Sequence, residues 1–199
     1  MKVLKQSVVY AGTWLNLNKA IFEANGQTGV WEYVSRPTRI SESDGVGVLA
    51  RVIHEGKEKI VTVATYRLPV DQWVIEFPSG MVEKTDLDIV KSALREFKEE
   101  TGFKVEENEV VGVGKVSFND PWKSNESNIL VKVNVDLKKK ENMNPVQELD
   151  PAEHIKVELL PVDGIMEHIE WLCKEKNYGL DSRVYTFALG VELAKGRGF

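Results

Sequence analysis

Three glutamates in the middle of the chain, Glu96, Glu99 and Glu100, are the residues whose types and spacing most directly suggest chemistry. At positions i, i+3 and i+4 of a helix, their side chains converge on one patch. A helix C-terminus disfavours negative charge, so a bound cation would stabilise this arrangement. Mg²⁺ takes oxygen ligands and binds carboxylates together with substrate phosphates. The spacing therefore predicts a magnesium site, and the alternative is a solvated acidic face whose charge Arg95 and Lys98 offset.

The element that must position these glutamates is a helix predicted from about Leu87 to Thr101. Apolar residues recur there at helical spacing, and Gly102 is a suitable C-terminal stop. Thr85 or Asp86 is the expected N-cap. The carboxylates occupy an arc beside the apolar stripe, so we expect them at the edge of the core, partly removed from water.

The rest of the chain is predicted to contain strands, followed by two further helices. β-branched and alternating patterns predict strands at residues 8–13, 15–24, 28–35, 45–53, 59–67, 73–77, 110–118, 129–135 and 155–160. Helices are expected at 162–176 and 182–195, and the charged segment 138–148 is expected to be a loop. The order indicates an α+β fold in which a mixed β-sheet is sandwiched between helices (α/β/α), with a small N-terminal antiparallel β region.

Composition limits the classes of protein. The chain has 199 residues, 42% of them hydrophobic, so it can bury a core. Lys plus Arg total 26 against 31 Asp plus Glu, and this net charge of −5 argues against nucleic-acid or membrane binding. The one cysteine, Cys173, cannot form an intramolecular disulfide, which favours a reducing compartment. No apolar segment has the length of a signal peptide or membrane span. We expect a cytoplasmic protein, with a nuclear location open in a eukaryote.

The segments 80–83 and 94–103 closely resemble the Nudix box. The second half, Arg95 to Gly102, matches at every fixed position of the family pattern. The first half departs from it, because the interval from Gly80 to Arg95 is one residue longer. The position of the expected glutamate holds Asp86 or Leu87 instead. That glutamate is not the main metal ligand in the family, so we expect altered loop geometry rather than loss of activity.

The chain also resembles, over nearly its whole length, the ADP-ribose pyrophosphatase branch of this family, close to the ADP-sugar enzymes. The residues that carry this resemblance are Trp14 and the segments 29–39, 44–46, 66–69, 75–80 and 180–189. It implies a Nudix fold, an N-terminal β region at 1–40 and a Nudix hydrolase domain at 41–199. It also implies a homodimer with an exchanged N-terminal region, in which both subunits build each site for a small nucleotide sugar.

The resemblance further implies roles for individual residues. The metal ligands would be the carbonyl of Ser79 with Glu96, Glu99 and Glu100. The catalytic set would be Glu153, which activates water from a distal loop, Glu99 as a competing base, and Arg95. The substrate-binding set would be Trp14 and Trp31 around the adenine, Glu32 on its amino group, Arg36 and Arg67 on phosphate or ribose oxygens, Met81, and Asp120 on the terminal ribose. Strand packing for the tryptophans and surface salt bridges for the two arginines are the alternatives.

The activity implied by the resemblance is Mg²⁺-dependent hydrolysis of ADP-ribose to AMP and ribose 5-phosphate, with Mn²⁺ as a substitute metal. Two or three Mg²⁺ ions would screen the diphosphate and lower the pKa of a water that Glu153 orients. One alternative is a Nudix enzyme for another nucleotide sugar or an oxidised nucleoside diphosphate. The other is a nucleotide-binding module that has lost catalysis.

Overall fold

The computed structural model describes residues 1–86 and 88–196. Its first sheet has three antiparallel strands: β1 (Lys2–Ala11), β2 (Asn16–Ala24) and β3 (Gln27–Ser35). Asn25 and Gly26 join β2 to β3 with φ of 53° and 72°, the positive values that a two-residue Asn-Gly hairpin turn requires. The predicted small N-terminal antiparallel region is confirmed.

The second sheet has nine strands within the described ranges. They are β4 (Gly45–His54), β5 (Lys57–Arg67), β6 (Gln72–Glu76), β7 (Ser79–Met81), β8 (Val110–Val113), β9 (Ser117–Phe118), β10 (Ser127–Val135), β11 (Ile155–Pro161) and β12 (Gly179–Leu180). The central order is β12-β6-β5-β4-β10-β8, while β11 pairs with β5, β7 with β4 and β9 with β10. The β4–β10 and β6–β12 pairs are parallel and the others antiparallel, so the sheet is mixed.

Helices cover both faces of this sheet. They are α1 (Ile89–Thr101), α2 (Lys140–Met143), α3 (Ile165–Glu175) and α4 (Ser182–Ala194), with short 3-10 turns at Leu68–Val70 and Glu107–Glu109. Ala93 and Phe97 of α1 are fully buried in one core cluster with Val48 of β4. On the opposite face, Leu172 of α3 and Ala188 of α4 belong to a second cluster. The predicted α+β architecture is confirmed, and none of the helices in the described residues is long and apolar enough to cross a membrane.

The entry into α1 differs from the prediction. The N-cap is Asp88, whose Oδ1 accepts the backbone N–H of Lys91 at 2.9 Å, so the prediction of Thr85 or Asp86 was wrong. Asp86 instead accepts the backbone N–H of Glu83 at 2.8 Å and pairs with Arg95. The predicted start of the helix at Leu87 lies outside the described residues. In the lengthened loop before α1, Asp88 therefore caps the helix and Asp86 binds Arg95.

Several other elements differ from the predicted ones, among them β12, which was not predicted. β1 starts at Lys2, because it pairs along the whole of β2. The strand predicted at 110–118 is two strands, β8 and β9, both paired with β10. A short helix, α2, interrupts the predicted loop at 138–148, where the buried Asn142 amide donates to the carbonyls of Lys104 and Asp136. β7 lies outside the predicted strands and forms because residues 45–47 of β4 pair with it.

Candidate active site

Glu100, near the end of α1, is held against the start of β7. Its Oε2 accepts the backbone N–H of Ser79 at 2.8 Å, and the residue is only 5% exposed. Burial raises the pKa of Glu100 to about 8, and repulsion from Glu96 and Glu153 adds to the increase. The hydrogen bond from Ser79 acts in the opposite direction and lowers the pKa. A carboxylate in this position is costly to ionise unless positive charge lies beside it.

Glu96 lies directly over Gly80, the second residue of β7. A Cβ atom on Gly80 would overlap the carboxyl group of Glu96, so glycine is required for this close approach. Pairing of Gly80 with Val46 of β4 fixes the position of β7 beneath the helix. Burial also raises the pKa of Glu96, to about 7, and Arg95 partly opposes this increase. Both carboxylates therefore rest on the backbone of one short strand.

Arg95 forms hydrogen bonds both with Asp86, in the loop before α1, and with the glutamates of α1. Its Nη1 lies 3.0 Å from both Glu96 Oε1 and Glu99 Oε2, and its Nε and Nη2 donate to Asp86. Nη2 also donates to the carbonyl of Met81 at 3.1 Å. The hydrogen bonds from Arg95 lower the pKa of Asp86 to about 2. The guanidinium is thus committed to four oxygen-bearing partners within the site.

The donor set of the site suits a hard divalent cation. The side chains become more exposed in the order Glu100, Glu96, Glu99, so the three carboxylates extend from the core to the surface. Within the described residues, no three His, Cys, Asp or Glu side chains already form a metal cage, since Arg95 draws Glu96 and Glu99 towards itself. Buried carboxylates with raised pKa values and an all-oxygen donor set fit Mg²⁺ or Mn²⁺ and disfavour zinc.

The distal loop predicted to supply the water activator does lie beside this cluster. Glu153 is near enough for its charge to raise the pKa of both Glu96 and Glu100. It is exposed, and its Oε2 accepts the backbone N–H of Asp150 at 2.9 Å, which closes its own turn. The structure therefore brings Glu153 to the same site as the glutamates of α1.

A cleft of about 570 Å³ adjoins this cluster at β7, whose three residues Ser79, Gly80 and Met81 all line it. Of the predicted residues, four line it: Arg36, Arg67, Ser79 and Met81. Arg67 is fixed by Glu76, which accepts from Nε and Nη2 at 2.7 and 2.6 Å, and this pairing raises the pKa of Arg67. Arg36 pairs with Glu126 and has its Nη1 3.8 Å from Met81 Sδ. The cleft lining therefore holds arginines that are oriented by ion pairs with neighbouring carboxylates, and the N–H groups that these pairs leave unused can donate to phosphate oxygens.

Four predicted substrate residues lie away from the cleft of the single chain. Trp14 and Trp31 are 62% and 46% exposed on the three-stranded sheet. Glu32, in β3, is exposed opposite Lys19. Asp120 pairs with Lys123 at 2.6 Å, and only its neighbour Asn119 lines the cleft. Trp31 Nε1 donates to the carbonyl of Trp122 at 2.9 Å, which attaches β3 to the loop containing Asp120.

Sequence reasoning assigned no role to several cleft residues: Glu76, Asn119, Glu126, Asn128, Asp181 and Arg183. Asp181 caps α4 and accepts two bonds from the guanidinium of Arg183, at 2.8 and 2.7 Å. Burial alone would raise the pKa of Asp181, but the bonds from Arg183 lower it overall. The sequence Asp181-Ser182-Arg183 is typical of a helix start, but it does not predict that this start lies at the cleft.

Comparison with known proteins agrees with this geometry. The model of the NUDIX domain family matches residues 44–178, more than half of the chain. The chain belongs to the Nudix family, and the predicted family and enzyme class are confirmed. Its relatives include a Caenorhabditis elegans protein named as a nudix hydrolase, 36% identical over 196 residues (97% of this chain and 86% of that one). The ADP-ribose pyrophosphatase of Saccharomyces cerevisiae is 35% identical over 189 residues (92% of this chain and 78% of that one).

Solved structures support the same fold. The crystal structure of an ADP compounds hydrolase superposes with a TM-score of 0.66 and covers 98% of this chain and 96% of its own. The two sequences are 17% identical, so this match concerns the fold alone.

Proposed function

We propose that this protein hydrolyses the diphosphate of ADP-ribose to AMP and ribose 5-phosphate, with Mg²⁺ as its metal and Mn²⁺ as a substitute. One observation carries the proposal: Glu96 and Glu100 are buried against Ser79 and Gly80 at a cleft lined by Arg36 and Arg67. The similarity to the yeast ADP-ribose pyrophosphatase over 92% of the chain supports the choice of substrate.

The metal would be held by Glu96, Glu99, Glu100 and the backbone carbonyl of Ser79. When bound, Mg²⁺ supplies charge screening for the diphosphate and increases the acidity of the attacking water. The raised pKa values of Glu96 and Glu100 support this assignment, because a cation offsets the cost of ionising carboxylates removed from water.

Glu153 is proposed to orient the attacking water and accept its proton. Glu99, the competing base, is held by Arg95 at 3.0 Å, whereas Glu153 bonds only within its own turn. Arg95 was predicted as catalytic, but its bonds to Asp86, Glu96, Glu99 and the Met81 carbonyl favour a positioning role. We therefore propose that Arg95 fixes the carboxylates without touching the substrate.

Arg36 and Arg67 are proposed to bind phosphate oxygens, and Met81 to contact the ligand between them. The pairing of Arg67 with Glu76 uses its Nε and Nη2, which leaves Nη1 to donate to a phosphate oxygen. Asp120 is proposed to reach the terminal ribose from the loop next to Asn119. A net charge of −5 argues against nucleic acid or membrane partners, and one free cysteine supports a location in the cytoplasm.

The adenine site is proposed to need a second copy of the chain. Every residue of β1 is exposed, including the apolar Val9 and Tyr10, and Trp14 after β1 and Trp31 on β3 of the same sheet are exposed as well. Exposed apolar surface of this kind marks an interaction site. We propose a homodimer in which region 1–40 of one subunit reaches the cleft in domain 41–199 of the other. Residues 197–199 of that domain lie outside the described residues.

The proposal is tested by comparing kcat/KM for ADP-ribose, ADP-glucose, GDP-mannose and 8-oxo-dGDP, each with Mg²⁺ and with EDTA. ADP-ribose is expected to give the highest value, and EDTA to abolish turnover. If another compound gave a higher kcat/KM, that compound would replace ADP-ribose as the proposed substrate. Tight binding of ADP-ribose without Mg²⁺-dependent hydrolysis would instead indicate a binding module.

A further inference from the structure

The segment that joins the two sheets is bonded to a loop at the cleft. This segment, residues 36–44, is called the linker, and the loop between β9 and β10, residues 119–126, is called the cleft loop. Nη2 of Arg39, in the linker, donates to the backbone carbonyl of Asn125, in the cleft loop, at 2.6 Å. This bond connects residues that are 86 positions apart in the chain, so it holds two distant segments together.

Asp44, the last residue of the linker, is the point at which these segments meet. Its carboxylate accepts Nε of Arg39 at 2.9 Å and a second bond from Nη2. It also accepts the backbone N–H of Ser127, directly after the cleft loop, at 2.9 Å, and the Ser127 hydroxyl at 3.3 Å. The backbone carbonyl of Asp44 accepts the N–H of Val82, directly after β7, at 3.2 Å. One residue therefore connects the linker, the cleft loop and the strand that lies beneath the glutamates.

The carboxylate of Asp44 carries its charge in a buried position. The residue is 5% exposed, and burial alone would raise its pKa, but the bonds from Arg39 and Ser127 lower the pKa overall. An ion pair removed from water adds little net stability compared with apolar side chains of similar volume, because both charges lose their hydration. Its directional bonds nevertheless fix how the bonded segments are placed relative to each other. Positioning therefore explains Asp44 better than stability does.

The cleft residue that these bonds position is Arg36. It is the first residue of the linker, and its Nε donates to the carboxylate of Glu126, the last residue of the cleft loop. Both side chains line the cleft. Because Glu126 directly precedes Ser127, the bond from Ser127 to Asp44 also fixes the backbone next to Glu126. The guanidinium of Arg36 is therefore held between two segments that Asp44 keeps together.

We propose that Asp44 is a positioning residue for substrate binding, which fixes the cleft loop to the linker and so holds Arg36 where its terminal nitrogens can donate to a phosphate oxygen. Asp44 acts without touching the substrate, because its carboxylate oxygens are occupied by Arg39 and Ser127. This inference rests on the proposed function, in which Arg36 binds the diphosphate of ADP-ribose. Loss of the Asp44 charge should consequently weaken substrate binding and leave bond cleavage at the glutamates of α1 nearly unchanged.

The first test is Asp44→Asn in steady-state kinetics with ADP-ribose and Mg²⁺. Asparagine has the same shape, but its NH₂ group faces another donor, on Arg39 or Ser127, so the bonds between the two segments weaken. KM should rise about 10-fold or more, while kcat changes by less than about 3-fold. KM does not depend on the folded fraction, so it stays interpretable if the variant is less stable. A KM equal to that of the unmodified protein would overturn the proposal.

The matched control for this test is Asp136→Asn. Asp136 also accepts a backbone N–H through its side chain, from Lys138 at 2.9 Å, and it lies at the opposite end of β10 from Ser127. Neither KM nor kcat should change in this variant. An equal rise of KM in both variants would show that the effect does not come from the cleft loop, and would contradict the proposal.

The second test asks whether Asp44 acts through Arg36. Arg36→Met removes the guanidinium and should by itself raise KM by about 10-fold or more. If Asp44 positions Arg36, adding Asp44→Asn to this variant should raise KM by less than about 2-fold further. Two independent effects would instead multiply, and full multiplication in the double variant would overturn the proposal.

Hydrogen exchange separates this inference from the proposed function, because it needs no substrate. In Asp44→Asn, the backbone amides of the linker and the cleft loop should exchange about 10-fold faster or more relative to those of α4. If ADP-ribose is not hydrolysed, the proposed function fails, and this measurement still decides whether Asp44 fixes the cleft loop. Unchanged exchange in the cleft loop would contradict the inference, and faster exchange with an unchanged KM would reduce Asp44 to a structural role.

Discussion

The glutamate cluster on α1 and the N-terminal three-stranded sheet are the two regions with the strongest predicted roles, and they differ in completeness. Glu96 and Glu100 contact β7 of the same chain and are buried by it. Trp14 and Trp31 stand on a sheet whose outer strand is exposed throughout. The proposed hydrolytic half of the site is therefore assembled within one chain, whereas the proposed base-binding half would need another surface. Substitutions in the two regions should consequently affect different kinetic parameters.

The largest effect is expected for Glu100→Gln. A glutamine oxygen can still accept the N–H of Ser79, so the fold should be retained, but the ligand charge is lost. The fall in kcat should exceed the roughly 10–100-fold known for residues that merely support metal ligands. Steady-state kinetics with ADP-ribose and Mg²⁺ measures it, with the exposed Glu107→Gln as the control. Turnover close to that of the unmodified protein would remove Glu100 from the metal site.

The next largest effect is expected for Gly80→Ala. The added methyl group would overlap the carboxyl group at the end of the Glu96 side chain and push it aside, so most of the activity should be lost while stability changes little. Gly190→Ala is a matched control, because a Cβ there meets nothing within 4 Å and alanine favours the helix. Thermal unfolding and kcat measure the two effects. If both variants behave alike, the close approach of Glu96 to β7 is not required.

A smaller effect, confined to substrate binding, is expected for Trp31→Ala. Stacking of a base on an aromatic ring contributes about 1–3 kcal/mol, so KM for ADP-ribose should rise about 10-fold or more with little change in kcat. Trp171→Ala, on α3, should leave KM unchanged. Sedimentation of the unmodified protein should show a dimer. A stable monomer with full activity would contradict the shared site and place the base elsewhere.

The smallest effect is expected for Asp86→Asn, which weakens the pairing with Arg95. The pKa of Asp86 falls from 3.8 to about 2 on folding, mainly through hydrogen bonds from Arg95. Its stabilisation, about 1–2 kcal/mol, is therefore present above pH 4 and disappears as the pH falls towards 2. The loss in the free energy of unfolding of the variant is measured by urea unfolding at pH 7 and at pH 2.5. Asp88→Asn preserves an N-cap and should change stability little at either pH. A loss that is equal at both pH values would exclude the ion pair as its cause.

The sequence predicted the glutamate cluster well because helical periodicity alone places residues 96, 99 and 100 on one face beside the core. It placed the cap at Thr85 or Asp86 instead of Asp88, because each of these side chains can accept a backbone N–H and only the structure shows Asp86 committed to Arg95. The approach of Arg183 to the cleft was not predictable, since α4 is brought there by its packing on β6 rather than by any local signal. The surroundings of Trp14 and Trp31 stay a prediction, because they depend on contacts outside one chain.

Strand β7 has a consequence for how this protein can diversify. Both buried carboxylates rest on its three residues, so a shift of β7 would displace them together and remove the hydrolytic step. Apart from β7 itself, the walls of the cleft come from separate segments, namely Arg36 after β3, the turn after β5, β10 and the start of α4. Substitutions there can accumulate one at a time without moving the glutamates. Substrate preference can therefore drift during evolution, or be redesigned, while the bond-breaking apparatus is inherited unchanged.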